Sequence, residues 1–232
     1  MRYFILLFLG SLFWLSATSC CCAQQYSSKQ IAAYVRKAPS DVEKNIAPLV
    51  KYLTEPFDND YDKAKSIAFW IASHIYYDSY LYNGTDNKDT YLRKSYQEQT
   101  PAKLLRSRVG ICVDYAALFQ AMCRKAGITV RTVNGYAYPA HLAFSASVRR
   151  NYAHAWNYFY YRGKKIYVDT TFMAGGSLDA DEYPNSAKRK RALYQFKKQN
   201  KEKEQTASIY GYYFDFSYKD EVSQKNRIHR EQ

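Results

Sequence analysis

A chain of 232 residues with 34 Lys and Arg against 21 Asp and Glu carries a formal charge of +13, an excess that attracts anionic partners. Its first residues mark it for export, which turns the reading away from nucleic acid and toward anionic envelope surfaces or acidic substrates. No Pro/Gly/Ser-rich linker divides the ~210 residues beyond the leader, so one domain with a sizeable core is expected rather than two.

The leader comes first. Arg2 precedes the apolar run Phe4–Leu15 (FILLFLGSLFWL), which suits a secretory signal and falls short of the ~20 residues that span a bilayer. Two endings fit. Ala17–Cys20 (ATSC) matches a bacterial lipoprotein signal, with alanine where leucine is preferred, and would put a lipid anchor on Cys20. Alternatively Cys21-Cys22-Ala23 satisfies the small-x-small rule and leaves Gln24 first. The cysteine run favours lipidation. Under either ending the signal peptide falls within residues 1–23, and the mature protein is expected to work outside the cytoplasm, in the periplasm or cell envelope.

Residues 24–57 read as an N-terminal helical segment. Ser40-Asp41-Val42-Glu43 has the form of a capping box, and Val42, Ile46, Leu49, Val50 and Leu53 follow at helical spacing, with Pro48 expected to kink or split the element. Residues 58–232 form the main domain. Its first helix has Ala64, Ile67, Ala68, Ile71 and Ile75 on one apolar face. Asp58, Asp60 and Asp62 mimic the start of a calcium loop, but Lys63 stands where that loop needs glycine and Phe69 where it needs a bidentate glutamate. They are read as acids favourable to a helix start. Residues 79–99 are polar and turn-rich, as in a surface loop. Thr100-Pro101 then opens a short helix.

The next helix begins near Cys112. Tyr115, Leu118, Phe119, Met122, Cys123 and Ala126 make a continuous apolar stripe, and Gly127 ends it. From Ile128 the period changes to two. Residues 129–138 read as a strand, and 154–172 as a hairpin turning at Arg162-Gly163. A two-residue turn places His154 and Asp169 on one sheet face as diagonal neighbours, with Cα atoms ~7–8 Å apart. Eight Lys and Arg between Lys188 and Lys203, against the single acid Glu202, form a basic extension. That run reads as a solvated segment or as a patch for an anionic lipid or polysaccharide. Tyr212, Phe214, Phe216 and Tyr218 alternate and suggest one more strand.

Cysteine usage is the sharpest signal. Three of the five cysteines (Cys20, Cys21, Cys22) belong to the leader. Cys112 and Cys123 remain, eleven residues and hence ~16 Å apart on one helix, too far for a disulfide. Cys123 lies on the apolar stripe and reads as core. Cys112 precedes the stripe, in the first turn, where orphan N–H groups and the positive end of the dipole favour a thiolate. His154 has the chemistry to take the thiol proton and return it to a leaving group, and Asp169 to hold the other imidazole nitrogen. The first-turn N–H groups supply one oxyanion donor, with Gln97, Gln99 and Trp156 as candidates for a second. Asp114 serves the helix start and, as an anion, opposes thiolate formation. His141 and His74 read as structural or surface residues, and His229 as part of a charged tail. A zinc site is not expected, because the two mature cysteines share one helix without a second ligand pair.

The stretches 63–78, 100–128, 135–137 and 154–172, with a glycine before the cysteine, an aromatic residue three positions after it, His-Ala-Trp-Asn and Val-Asp-Thr-Thr in that order, resemble the transglutaminase-like superfamily of papain-related cysteine enzymes. They span a motif-bearing core of about residues 60–175; residues 24–57 and 176–232 match no pattern. The resemblance implies an α+β fold in which a nucleophile helix packs against an antiparallel β-sheet, and a catalytic triad of Cys112, His154 and Asp169. It implies attack on a peptide or protein amide through a thioester, resolved by water or by an amine, with no cofactor. The rival reading is a catalytically silent binding or scaffold module of the cell envelope. The expected partners are the amide substrate, an anionic envelope surface met by Lys188–Lys203, and a membrane only through a lipid anchor at Cys20.

Overall fold

The computed structural model describes residues 26–78, 99–139, 141, 143–174, 177–178, 213–216 and 227–232. The leader, most of the expected loop at 79–99, the basic run Lys188–Lys203, and Tyr212 and Tyr218 lie outside the described residues. No helix among the described residues is long and apolar enough to cross a membrane.

The N-terminal segment is helical. Helix α1 (Ser28–Val35) starts at a capping box in which Ser27 and Gln30 bond reciprocally. A 3-10 turn (Val42–Lys44) and α2 (Ile46–Thr54) follow. The break between them falls at Asn45 and not at Pro48, which sits in the first turn of α2, where its missing N–H costs nothing. Glu43 is not a capping residue either. Its carboxylate meets His74 Nε2 at 3.1 Å, Trp70 Nε1 at 3.2 Å and Arg108 at 3.4 Å.

Helix α3 (Asp60–His74) is capped by Asn59, whose side chain accepts the Asp62 N–H at 2.8 Å. The expected single apolar face proves too narrow. Ala64, Ile67, Ala68, Phe69, Trp70, Ile71 and Ala72 are all at most 1% exposed, because α1 and α2 pack on one side while the helices that carry the site pack on the other. Ile75 lies just past its end and leads into strand β1 (Tyr76–Asp78).

Helix α4 (Pro101–Ser107) opens at the Thr100 cap, with Pro101 in its first turn. Strand β2 (Val109–Gly110) leads into α5 (Cys112–Lys125). The end of α5 is a Schellman arrangement: Gly127 has φ +82° and the Ile128 N–H reaches the Cys123 carbonyl at 2.9 Å. Then come β3 (Val130–Pro139), α6 (Ala146–Asn151), β4 (Ala153–Tyr161), β5 (Lys164–Val168), α7 (Thr170–Ala174), β6 (Ser177–Leu178), β7 (Phe214–Phe216) and β8 (Arg227–Glu231).

Two sheets result. Strands β2, β1 and β6 form a small parallel sheet in that order, which the sequence pattern does not announce. The larger sheet is antiparallel, in the order β7-β5-β4-β3-β8, and α5 packs across β4 and β3. The fold is therefore α+β, with the cysteine-bearing helix on an antiparallel sheet. Arg162 and Gly163 turn the β4–β5 hairpin at φ +50° and +77°, as a two-residue turn matched to strand twist requires. The pairing of Asn157 with Val168 follows.

Candidate active site

Gly110 sets the approach to α5. A Cβ there would stand 2.7 Å from Leu104 Cδ1 and 2.8 Å from Asp114 Oδ2, so only a glycine lets β2 pass this close to the helix start. Asp114 closes the turn by accepting the Ile111 N–H at 2.9 Å. Burial pushes the Asp114 carboxyl up to about 6, with Asp78 adding to the rise and the Ile111 N–H and Gln99 opposing it. Cys112 is the first residue of α5 and is 4% exposed, packed against Ala116 and Ala155 with Tyr77 alongside.

Strand β4 brings His154 to the same point. Its Nε2 lies 2.7 Å from Asp169 Oδ2, and Cys112 stands near enough to favour the charged ring. With Nε2 committed to Asp169, Nδ1 is the nitrogen left for the thiol. Phe172 stacks on the imidazole at 4.6 Å and fixes its plane. Burial works against a charged ring, but the Asp169 carboxylate and then Cys112 outweigh it and push the His154 pKa up to about 10.

Asp169 lies between the end of β5 and the start of α7, and caps α7. One carboxylate oxygen, Oδ1, accepts the N–H groups of Thr171 and Phe172, both at 3.0 Å, the arrangement of a helix N-cap. Its side chain is fully buried. Burial alone would raise its pKa, yet the imidazoles of His154 and His229 hold it well below the usual carboxylate range. The opposed shifts of His154 and Asp169 describe one interaction, not two.

Cys112, His154 and Asp169 are thus in one place. Of the residues considered as a second oxyanion donor, Gln97 lies outside the described residues. Gln99 is committed to the turn before α5, donating to the Val109 carbonyl at 2.9 Å. Trp156 is 1% exposed and its indole N–H has no hydrogen-bond partner among the described residues.

His229 corrects the sequence reading. It is not in a solvated tail but 4% exposed on β8, and its Nε2 lies 2.9 Å from the Asp169 oxygen that His154 also engages. Its surroundings in sequence, RIHREQ, carry no apolar alternation that announces burial. Asn157 is a second residue that sequence reasoning passed over. Fully buried, it donates to the Ala116 carbonyl and the Thr132 hydroxyl, both at 3.2 Å, and so ties β4 to α5 and β3.

His154, Asp169 and His229 also offer two imidazole nitrogens and a carboxylate oxygen within 4.8 Å of one another, a donor set suited to a divalent ion. Their spacings of 2.7 and 2.9 Å are nevertheless those of hydrogen bonds, and an ion would have to displace the protons that hold the group together.

A family model for the transglutaminase-like superfamily matches residues 47–170. The chain is 32% identical over 134 residues to the kyphoscoliosis peptidase of Mus musculus, covering 58% of this chain and 19% of that protein. It is 32% identical over 152 residues to the kyphoscoliosis peptidase of Homo sapiens, covering 66% of this chain and 21% of that one. The chain thus spans about a fifth of the length of these curated relatives. A solved structure of a Cytophaga hutchinsonii protein proposed to be a cysteine protease is 23% identical, with a TM-score of 0.41, over 61% of this chain and 42% of the other. Since the family model spans residues 47–170 of 232, more than half of the chain, this protein belongs to the transglutaminase-like superfamily.

Proposed function

We propose that the protein is an exported cysteine enzyme that cleaves or exchanges an amide bond through a thioester. The observation that carries this reading is the buried pair in which Asp169 binds His154 at 2.7 Å, beside a Cys112 that helps raise the pKa of the ring. In this reading the Cys112 thiol passes its proton to the imidazole. The Cys112 thiolate adds to the amide carbonyl carbon, and the oxyanion meets the N–H groups of Cys112 and Val113, which have no preceding helical turn to accept them. As the C–N bond breaks, the imidazolium gives its proton to the departing nitrogen. A thioester and a free amine remain. Water or a second amine then attacks the thioester and gives a proton to His154, and the C–S bond breaks to restore thiolate and imidazolium.

Hydrolysis is the preferred outcome, because the curated relatives are called peptidases. The substrate is a peptide or protein amide outside the cytoplasm, reached by a protein anchored through Cys20 or released after the leader. The basic run Lys188–Lys203 would hold it to an anionic envelope surface.

The rival, a catalytically silent module, draws on one observation: Cys112 is only 4% exposed. Alkylation by iodoacetamide, mapped by mass spectrometry across pH, separates the two. The enzyme reading expects Cys112 to react well below the ~8.5 at which an ordinary thiol ionises, and to slow there in His154→Ala. A thiol that reacts only at higher pH and ignores the loss of His154 sinks that reading and favours the silent module.

A further inference from the structure

The Asp169 carboxylate accepts four hydrogen bonds. Thr171 and Phe172 fill Oδ1 from the backbone, while His154 and His229 share Oδ2 at 2.7 and 2.9 Å. The first three donors come from the hairpin and the turn that follows it. The fourth comes from a strand sixty positions further along the chain.

The sheet explains how it arrives. Strand β3 lies between β4 and β8, with Gly135 opposite His154 and Ala137 opposite His229. A Cβ on Gly135 would stand 2.1 Å from the Arg230 carbonyl and 2.7 Å from Trp156 Cη2, so the glycine is what permits both neighbours to close on β3. The His229 ring then sits in an aromatic box, with Phe216 at 4.8 Å, Trp156 at 5.0 Å and Phe172 at 5.5 Å. Phe172 is also the ring stacked on His154. The side chains of His229 and Asp169 are both fully buried.

We propose that His229 is a positioning residue: its Nε2–H donates to Asp169 Oδ2 and locks the carboxylate in the rotamer that orients His154 toward Cys112. Without it, half of Oδ2 would be left unsatisfied in a dry site, and the carboxylate would be free to turn about its side-chain bonds. Docking of β8 against β3 thereby becomes a condition for an aligned Cys-His pair. This rests on the reading of Cys112 and His154 as the reacting pair.

The test uses the full chain. In wild-type protein labelled with nitrogen-15 at histidine, NMR should show Nε2–H protons on both His154 and His229, slow to exchange with water. Alkylation of Cys112 near pH 6.5 should fall on the order of ten- to a hundredfold in His229→Phe, with its pH profile moved toward that of an ordinary thiol. His229→Gln, whose amide nitrogen reaches about as far as Nε2, should restore the wild-type profile to within about threefold. The proposal is overturned if the His229 proton resides on Nδ1, if folded His229→Phe keeps the wild-type profile, or if His229→Gln falls as far as His229→Phe. The spectrum of the wild-type protein decides even if His229→Phe does not fold. A wild-type thiol that is not activated at all would defeat the enzyme reading, while the spectrum would still settle the His229–Asp169 bond.

Discussion

The two ends of α5 carry the same side chain in opposite circumstances. Cys123 sits three turns along the helix at 0% exposure, where burial, with the Asp60 charge adding to it, pushes the thiol well above its ordinary ionisation. Cys112 sits at the first residue of the helix with the His154 imidazole as an electrostatic neighbour. Both are free and both are buried, so burial does not separate them. The difference lies in what each sulfur faces: aliphatic and aromatic packing at one end, orphan backbone N–H groups and a proton acceptor at the other. On the enzyme reading, reactivity follows the position in the helix and not the residue type.

The largest effect should therefore come from exchanging the roles of these two positions. Cys112→Ala is expected to lower turnover of any amide substrate by about 10⁴-fold or more, while Cys123→Ala should leave turnover within about threefold and cost about 1–2 kcal/mol of stability. Steady-state kinetics and urea melts on the two variants read this directly. Equal losses of turnover would break the comparison.

Asp169→Asn comes next, at about 10³- to 10⁴-fold, because an amide nitrogen turned toward His154 reverses the hydrogen bond on which the ring depends. The same pair makes a pH prediction. His154 is raised to about 10, so its contribution to stability is full below the ordinary imidazole value of ~6.5 and is lost as pH rises toward about 10. Asp169 is depressed, so its contribution is present above ~4 and is lost as pH falls through the folded-state value. The stability gap between wild type and His154→Gln should be widest near pH 5–6 and shrink steadily to pH 10. Urea melts at intervals across that range check it, and a gap that grows with pH would contradict the sign.

How much of this was legible depends on how far each contact reaches along the chain. The turn at Arg162-Gly163 was readable and fixes the ladder as far as Asn157 opposite Val168, whereas His154 and Asp169 meet beyond its last pair rather than as diagonal neighbours within it. The cap and stop of α5 were readable for the same local reason. Helix α7 was not, because Thr170, Thr171 and Phe172 have strand-forming side chains and turn helical only where Asp169 caps them. His229 was still less accessible. Nothing in a run of charged residues reveals burial when the partner that compensates it lies sixty positions away, and only the β3–β8 pairing brings the two together. Glu43 shows the same limit in reverse: its local context has the form of a cap, but His74, Trp70 and Arg108 claim it.

The smallest predicted effect concerns the acid inside the first turn of α5. Asp114 accepts the Ile111 N–H at 2.9 Å and has its carboxyl raised to about 6, chiefly by burial. The unfolded chain ionises it near 3.9, so folding is opposed progressively as pH rises from about 4 to about 6, and by a constant amount above that. Above pH 6 the residue is an anion in the same first turn as Cys112, where it works against a thiolate. Asp114→Asn keeps an oxygen to accept the Ile111 N–H but removes the charge. Its stability should lose the slope that wild type shows between pH 4 and 6. Cys112 alkylation in the variant should reach half its plateau at a lower pH than in wild type, by no more than about one unit. Both readings are needed, because either alone has another explanation. A lost slope without a shifted alkylation curve would mean that Asp114 braces the turn without being felt by the sulfur. A shift to higher pH would mean that its hydrogen bond to Ile111 matters more to the thiolate than its charge does.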